Sequence, residues 1–582
     1  MNEFRFSPRP NRAGEIAWMP WGAPAFERAK SEDKPILLSI SAVWCHWCHV
    51  MDETSYSDQG VIEAINRNFV PIRVDNDRRP DVNARYNMGG WPTTAFLAPD
   101  GTTLTGATYL PPQQFLGALD EIAHFYGQRK DEIAQHVADL KARDASRPPH
   151  ASADLTEAPI VELTGELENA FDEEFGGFGE APKFPQPEAL EFLLSEWRLS
   201  GHPHLHAMVA KTMLSMARGG TYDHVEGGFF RYSTTRDWSV PHFEKMAEDH
   251  AGLLRVLSEL VLYAPTNEFR ETLVSTTNYV RRVLRDPKTG FFAGSQDADE
   301  AYYELPLEER RKREAPYVDR TSYTNWTCAL AGGQCLAARA LDDDALLDEA
   351  LQSLDNVAER LVGGDGLLFH VLAPGDAPTV SGLFSDQVAY ARALLDAHEI
   401  SGETRFLSRA QSLVDAVITN FESPEGGFYD RLRGGEAFGR LAVADRPIVD
   451  NSLFAEVLLR LSGLTGDPRY RERAESVLRV YSQSTRGAGA FAATYARALR
   501  RYLCPELSVR IVGDPAATDA FREAALRLPT PFAAIRTLST GAAAELEMPA
   551  EQPAAYVCVT GACGAPVRDA GGLRAAYDAL VA

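Results

Sequence analysis

Long apolar runs are missing from this 582-residue chain: no window approaches the ~18 consecutive apolar residues that mark a membrane-crossing helix. The opening residues, MNEFRFSPRPNRAGEIAW, hold no apolar core of a secretion signal. A soluble protein of the cytoplasm is the expectation. Cysteine is scarce and odd in number, at seven, which argues against a secreted disulfide framework. Positive charge is in deficit, with 58 Lys and Arg against 82 Asp and Glu for a net −24, so the averaged surface repels phosphate backbones and anionic headgroups. Neither nucleic acid nor membrane is expected as a partner. P-loops and dinucleotide fingerprints do not occur in a strand–helix context, the glycine pairs being scattered turns. No cofactor and no metal centre is expected, and no feature specifies an oligomeric state.

What is present is ordinary globular composition, 45% hydrophobic and 24% charged, which excludes global disorder. At roughly 150 residues per domain the length suggests two to four domains. Residues 1–148 alternate short strands and helices. Ile36 to Ile40 reads as a buried strand, followed at once by Cys45-x-x-Cys48 and a helix from Cys45 or His46. Asp58 caps a second helix, Phe69 to Val74 is a strand, a third strand opens at Pro92, Pro99-Asp100-Gly101 turns a hairpin, and a helix runs from Gln113 to Tyr126. The order β-CxxC-α-β-α-Pro-β-β-α is that of a thioredoxin fold. Residues 143–158, polar with two adjacent prolines, read as a linker.

From 155 to 504 the periodicity is helical, in about twelve segments starting near Leu155, Pro187, Pro203, Ala247, Thr266, Tyr323, Ala345, Ser385, Thr404, Asn451, Pro468 and Gly489. A glycine turn ending in an aromatic follows every second segment, at Phe178, Phe229, Phe291, Phe369, Phe428 and Phe491. Taken singly, each turn is a helix C-cap with an aromatic over it. Six in register predict a closed (α/α)6 ring with all six turns, and a pocket, at one end. Residues 505–582 read as a small α/β domain with strands at Leu507 to Val512 and Ala554 to Val559. The fold class is therefore multidomain, α/β plus α.

In Trp44-Cys45-His46-Trp47-Cys48-His49 the first sulfur sits at a helix start, where free N–H groups and the helix dipole favour a thiolate. Cys45 is the expected nucleophile and Cys48 the resolving thiol. An imidazolium at His46 or His49 would lower the Cys45 pKa further. Pro92 is the expected cis-proline beside the dithiol. C-x-x-C-H is also a haem-attachment motif, and two Cys with two His are potential zinc ligands, although four ligands at one helix start cannot all converge tetrahedrally. A dithiol used only for docking or regulation is a further alternative. Cys558 and Cys563 form a weaker C-x4-C pair, while Cys328, Cys335 and Cys504 read as core residues.

These motifs resemble the spermatogenesis-associated protein 20-like family. The likeness rests on CHWCHVM at Cys45 to Met51, NFVPIRVD at Asn68 to Asp75, RPDV at Arg79 to Val82, GGWPTTAFLAPDG at Gly89 to Gly101, FGGFGEAPKFP at Phe175 to Pro185, VPHFEKM at Val240 to Met246 and QDAD at Gln296 to Asp299. The resemblance implies a thioredoxin-like domain ahead of a six-hairpin α/α toroid similar to N-acylglucosamine 2-epimerases and related glycosidases. The sequence departs from the family pattern at Thr54, at Phe230 where a histidine is common, between Tyr86 and Gly89, and in the stretch after Asp299.

A sugar-acting pocket needs an ionisable pair on opposite faces of a ring. Beside the glycine turns lie Tyr222, Asp223 and His224, then His242, Glu244, Lys245 and Asp249, then Gln296, Asp297 and Asp299, and at later helix starts Asp386, Asp450 and Asn451. His242 and Glu244 are the leading catalytic pair. Trp238, Phe243 and Tyr232 could stack on sugar rings or belong to the core, and the helix-start acids and Asn451 suit N-caps. The reading is a thiol–disulfide domain, with a protein thiol as client, fused to a carbohydrate-acting or carbohydrate-binding barrel with a sugar ligand. The alternative is a non-enzymatic, chaperone-like client binder.

Overall fold

The computed structural model describes residues 4–581 apart from 131, 134, 136–137, 140–152, 436–437, 486, 547 and 549–552. The expected linker at 143–158 lies outside the described residues as far as 152. The chain divides into two compact units, residues 1–149 with 431–445, and residues 150–430 with 446–582. Unit 1 thus takes in a segment that the sequence reading assigned to the helical domain, and unit 2 takes in the C-terminal α/β segment.

Unit 1 runs α1 (Ala23–Glu32), β1 (Ile36–Ser41), α2 (His46–Glu53), α3 (Gln59–Asn68), β2 (Val70–Asp75), α4 (Pro80–Tyr86), β3 (Thr93–Leu97), β4 (Thr103–Ala107) and α5 (Pro112–Gln128). The sheet order is β2-β1-β3-β4, with β1 parallel to β2 and antiparallel to β3. Every residue of β1 is buried, as a central strand covered on both faces requires. Ile36, Leu38 and Ile40 point to a core with Phe26 and Tyr86, while Leu37 points to one with Ile65 and Phe115. Leu441 and Phe438 complete the first core. The Tyr86 hydroxyl donates to the Gly101 carbonyl at 2.8 Å and accepts from the Arg440 N–H at 2.7 Å. Gly101, at φ +88°, permits this approach: a Cβ there would lie 2.3 Å from the Gly439 Cα.

Unit 2 contains, among the described residues, twelve long helices that close a ring. The outer helices are α6 (Ala158–Ala170), α8 (Pro203–Arg218), α10 (Asn267–Tyr279), α12 (Asp344–Arg360), α14 (Thr404–Phe421) and α16 (Pro468–Tyr481). The inner ones are α7 (Pro187–Ser200), α9 (Ala247–Tyr263), α11 (Thr324–Leu341), α13 (Phe384–Ser401), α15 (Ile448–Thr465) and α17 (Ala493–Leu503). Each inner helix packs on the next and α17 returns to α7, with the outer helices against them. Inner helices such as α15 are buried all round and outer ones such as α14 on one stripe. This is the (α/α)6 architecture expected from the segment count. Links from inner to outer helices are two or three residues long, whereas outer-to-inner links carry the glycine turns. The long loops and turns therefore share the end where the inner helices begin.

A polar residue at the fourth position of an inner helix holds the preceding turn. His250 of α9 accepts from the Phe229 N–H at 3.0 Å, Gln387 of α13 from Leu368 at 3.1 Å, and Asn451 of α15 from Phe428 at 2.7 Å. Asn451 is thus a turn clamp and not an N-cap, the cap being Pro447. Phe491, last of the aromatic series, is 81% exposed and does not cover a helix end.

The C-terminal segment runs β5 (Leu507–Val512), α18 (Pro515–Leu526), β6 (Ala534–Leu538), α19 (Thr540–Glu545), β7 (Ala554–Val559), β8 (Ala562–Cys563) and α20 (Leu573–Val581). Its sheet order, β6-β5-β7-β8, with β5 parallel to β6 and antiparallel to β7, repeats the topology of unit 1. Pro553 precedes β7 as Pro92 precedes β3. Gly513-Asp514-Pro515 stands where unit 1 has its dithiol, so this second thioredoxin-like layout lacks the CxxC. Cys558 and Cys563 face each other across the β7–β8 hairpin in a disulfide. Cys328 and Cys335 are buried as expected, whereas Cys504 is only half-buried.

Candidate functional site

The first site is built by β1 delivering the chain to α2. Cys45 is the N-cap of α2, its Sγ accepting from the Cys48 N–H at 3.2 Å, and the two cysteines are joined in a disulfide. Both sulfurs' residues are buried, while His46 and Trp47 are exposed, Trp47 by 51%. The Trp91–Pro92 peptide is cis, and the Trp91 ring stands edge-on to Trp44 at 5.4 Å. The Trp44 indole N–H is tied to Asp77 Oδ2 at 2.8 Å. Burial pushes the half-buried His49 imidazole below its ordinary pKa, which works against an imidazolium at that position.

Behind the dithiol helix the sequence reading missed a buried ion pair. Arg73 of β2 grips Asp52 of α2 through two bonds of 2.9 and 3.0 Å, and the Ser7 N–H donates to the same carboxylate. The signal was an arginine inside an otherwise apolar strand, which demands a partner.

The second site is the loop-bearing end of the helical ring. Phe184, Tyr232 and His242 form a continuous stack, with centroids 4.7 and 4.9 Å apart, and Phe184 is 42% exposed. His242 Nδ1 lies 3.2 Å from Glu244 Oε1, at contact distance but outside hydrogen-bond alignment, and Arg231 approaches the other Glu244 oxygen at 3.4 Å. Asp249, at the third position of α9, is pushed up to about 8, by burial first and then by Glu248, Glu188 and Glu244, against the pull of Arg231. Asp450 is raised to about 7 by burial and by Asp386, Asp430 and Glu248. Glu188 and Glu248, reachable by water but hemmed in by protein, are also raised, by burial first. His370 Nδ1 contacts Asp386 Oδ1 at 2.9 Å, and burial raises Asp386 despite that neighbour. The first turns of α7, α9, α13 and α15 thus bring carboxyls close enough to feel one another's charge. Asp386 and Asp450 occupy third helical positions, the N-caps being Leu383 and Pro447, which corrects their reading as caps.

Several sequence candidates lie elsewhere. Lys245 is fully buried, bonded to Asp223 Oδ2 and to the Gly227 carbonyl at 2.8 Å each, and burial brings it down to about 8. Asp223 is also taken by Arg310 at 2.8 and 3.0 Å. Arg310 comes from the divergent stretch after Asp299, and its neighbours Tyr302 and Tyr303 pack on Phe230. These departures from the family pattern form one local structure. Trp238 is buried, donating to the Phe175 carbonyl at 3.1 Å, and is core. Phe243, partly buried, packs on Phe230. Tyr222 is buried against Phe229, His224 bonds the Gly219 carbonyl, Gln296 accepts from Tyr279, the Asp297 carboxylate takes the Ala298 N–H, and Asp299 caps the short helix Glu300–Tyr303. Of the substrate-binding candidates, only Asp249 joins the carboxyl cluster. Glu188, Glu248, Arg231, Phe184 and His370 were not singled out from sequence because their neighbours are distant along the chain. Among the described residues no helix is long and apolar enough to cross a membrane, and no cluster of metal-ligating side chains occurs.

The family model described as Thioredox_DsbH, a protein of unknown function (DUF255), matches residues 9–143. Spermatogenesis-associated protein 20 of Homo sapiens is 26% identical over 96% of this chain and 89% of its own length. The chain is similar to the spermatogenesis-associated protein 20-like family over nearly its whole length. The thiol:disulfide interchange protein DsbD of Campylobacter jejuni (strain RM1221) is 32% identical over 80 residues, 12% of this chain and 14% of that protein. Among solved structures, the cellobiose 2-epimerase from Spirochaeta thermophila covers 60% of this chain and 95% of its own at 14% identity and a TM-score of 0.49.

Proposed function

We propose that the protein is a thiol–disulfide oxidoreductase acting on protein thiols. The supporting observation is the Cys45–Cys48 disulfide at the start of α2 in a unit that carries the cis-proline Pro92. A client thiolate attacks Cys45 Sγ, the Cys45–Cys48 bond breaks, and the electron pair leaves on Cys48 Sγ. A second client thiolate then attacks the client sulfur of the mixed disulfide, releasing oxidised client and the reduced pair; the reverse sequence reduces a client. Cys45→Ser should lower insulin reduction with a thiol reductant at least ~100-fold. Equal rates in variant and wild type would sink the reading. Cys48→Ser should accumulate a Cys45 mixed disulfide, and capture without turnover in the wild type would favour the docking alternative.

A second reading is carried by the Phe184–Tyr232–His242 stack in a loop end that also bears a raised carboxyl: the ring binds and acts on carbohydrate. Asp249, protonated at neutral pH, is the proton donor, His242 and Glu244 are the accepting pair, and Phe184, the exposed outer ring of the stack, is the stacking face. A panel of neutral mono- and disaccharides should give turnover or a thermal shift that Asp249→Asn and His242→Ala abolish. Indifference to the whole panel would count against it.

A further inference from the structure

A net charge of −24 makes any concentration of unpaired cations informative. One occurs in unit 2, in a cleft of about 480 Å3 between the loops of the third and fourth glycine turns, a size usual for small-molecule sites. Arg282, Arg285, Lys288, Arg320 and Arg360 line it, and among the described residues the only carboxylate in the lining is Asp286. Asp286 is occupied by its own turn, accepting from the Lys288 N–H at 2.9 Å and the Thr289 hydroxyl at 2.8 Å. Among the described residues none of the five cations forms an ion pair, although Arg281, one position earlier, is clamped on Glu349 at 2.5 and 2.9 Å.

The side chains are held in place without being neutralised. Arg282 donates to the Glu226 carbonyl and Arg320 to the Val283 carbonyl, both at 2.8 Å, and Arg360 lies over the Phe291 ring at 5.2 Å. Arg285 is only 8% exposed, yet its Nε has no hydrogen-bond partner and its one side-chain bond is a long 3.4 Å contact to Gln352. A buried guanidinium is normally paired, because a charge withdrawn from water is unfavourable without a counter-charge.

We propose that this cleft binds a small organic molecule carrying a di- or triphosphate. Five cations less one carboxylate leave an excess of four positive charges in the lining, which a monocarboxylate cannot balance and a chain of phosphates can. Guanidinium forks match phosphate oxygens in geometry. Arg285 anchors one phosphate at the base, Arg282 and Arg320 the next at the rim, and buried Phe291 offers an apolar wall to the organic part.

The test is calorimetric titration of inorganic pyrophosphate into the full chain in about 0.1 M salt, which screens diffuse attraction. Saturable binding at one site is expected. It should weaken at least ~10-fold in the double variant Arg282→Ala/Arg320→Ala, whose exposed residues leave folding intact. The charge-matched control Arg311→Ala/Arg574→Ala, removing cations already paired with Glu308 and Asp578, should bind as the wild type does. Failure to saturate at millimolar pyrophosphate, or equal weakening in both double variants, overturns the proposal. A single-stranded RNA that binds at the cleft without competition from pyrophosphate would overturn it as well.

Discussion

A carboxyl withdrawn from water and set among other carboxyls keeps its proton, and Asp249 is the clearest instance. In the unfolded chain it ionises near its ordinary value of 3.8; in the fold it holds the proton to about 8. The folded state therefore binds the extra proton between these values, so stability falls as pH rises across that window and the penalty is complete above 8. Asp249→Asn removes it. Allowing for water access, the variant should gain on the order of 1–2 kcal/mol at pH 8 and nothing near pH 4, read as a pH-dependent gap between two melting curves. His250 has the opposite sign. Burial brings its folded pKa down to about 4 from 6.5, so its contribution is present above 6.5 and lost as pH falls towards 4. Cys45 and Pro92 were legible in the sequence because their chemistry is local to one helix start and one strand start. Asp52, Glu188 and Arg231 were not, because the charges that give them meaning are supplied by other elements.

At the scale of elements, the six-fold repeat was legible through glycine, since the turns that follow the outer helices use positive φ, which glycine adopts without strain. Gly228, at φ +82°, shows the constraint: an added Cβ would lie 2.6 Å from the Tyr279 ring and 2.8 Å from His250 Nε2. Gly228→Ala should cost on the order of 2–4 kcal/mol, through backbone strain and displacement of the His250 clamp. Denaturant unfolding of unit 2 measures it. What the pattern did not reveal is that His250, Gln387 and Asn451 do one job. Three different residue types serve because each offers an acceptor at the same fourth position, and residue identity hides that equivalence. The same blindness put Asp223 and Lys245 among the ligand-binding candidates. A buried ion pair and a binding pair look alike until the arginine from a third segment, Arg310, is seen to complete the former.

At the scale of the molecule, unit 1 is not continuous in sequence. Phe438, Arg440 and Leu441 enter between α14 and α15 and complete the core around Phe26 and Tyr86. Residues 1–149 expressed alone should therefore be less stable than unit 1 in the full chain, with faster hydrogen exchange at β2 and α4. Leu441→Ala in the full chain should reproduce part of that loss, about 2–3 kcal/mol for a buried leucine. Equal protection in fragment and full chain would contradict the claim. The sequence by itself determined the strand order around the dithiol, the number of helices and the acidic average of the surface, because these depend on periodicity, local caps and counting. Tertiary structure alone decided that the C-terminal segment repeats the thioredoxin layout without its cysteines, that carboxyls from four inner helices share one field, and that five cations meet unpaired in an acidic protein. Each of those depends on groups far apart along the chain, whose energies are set by burial and by neighbours that only the folded chain brings within reach.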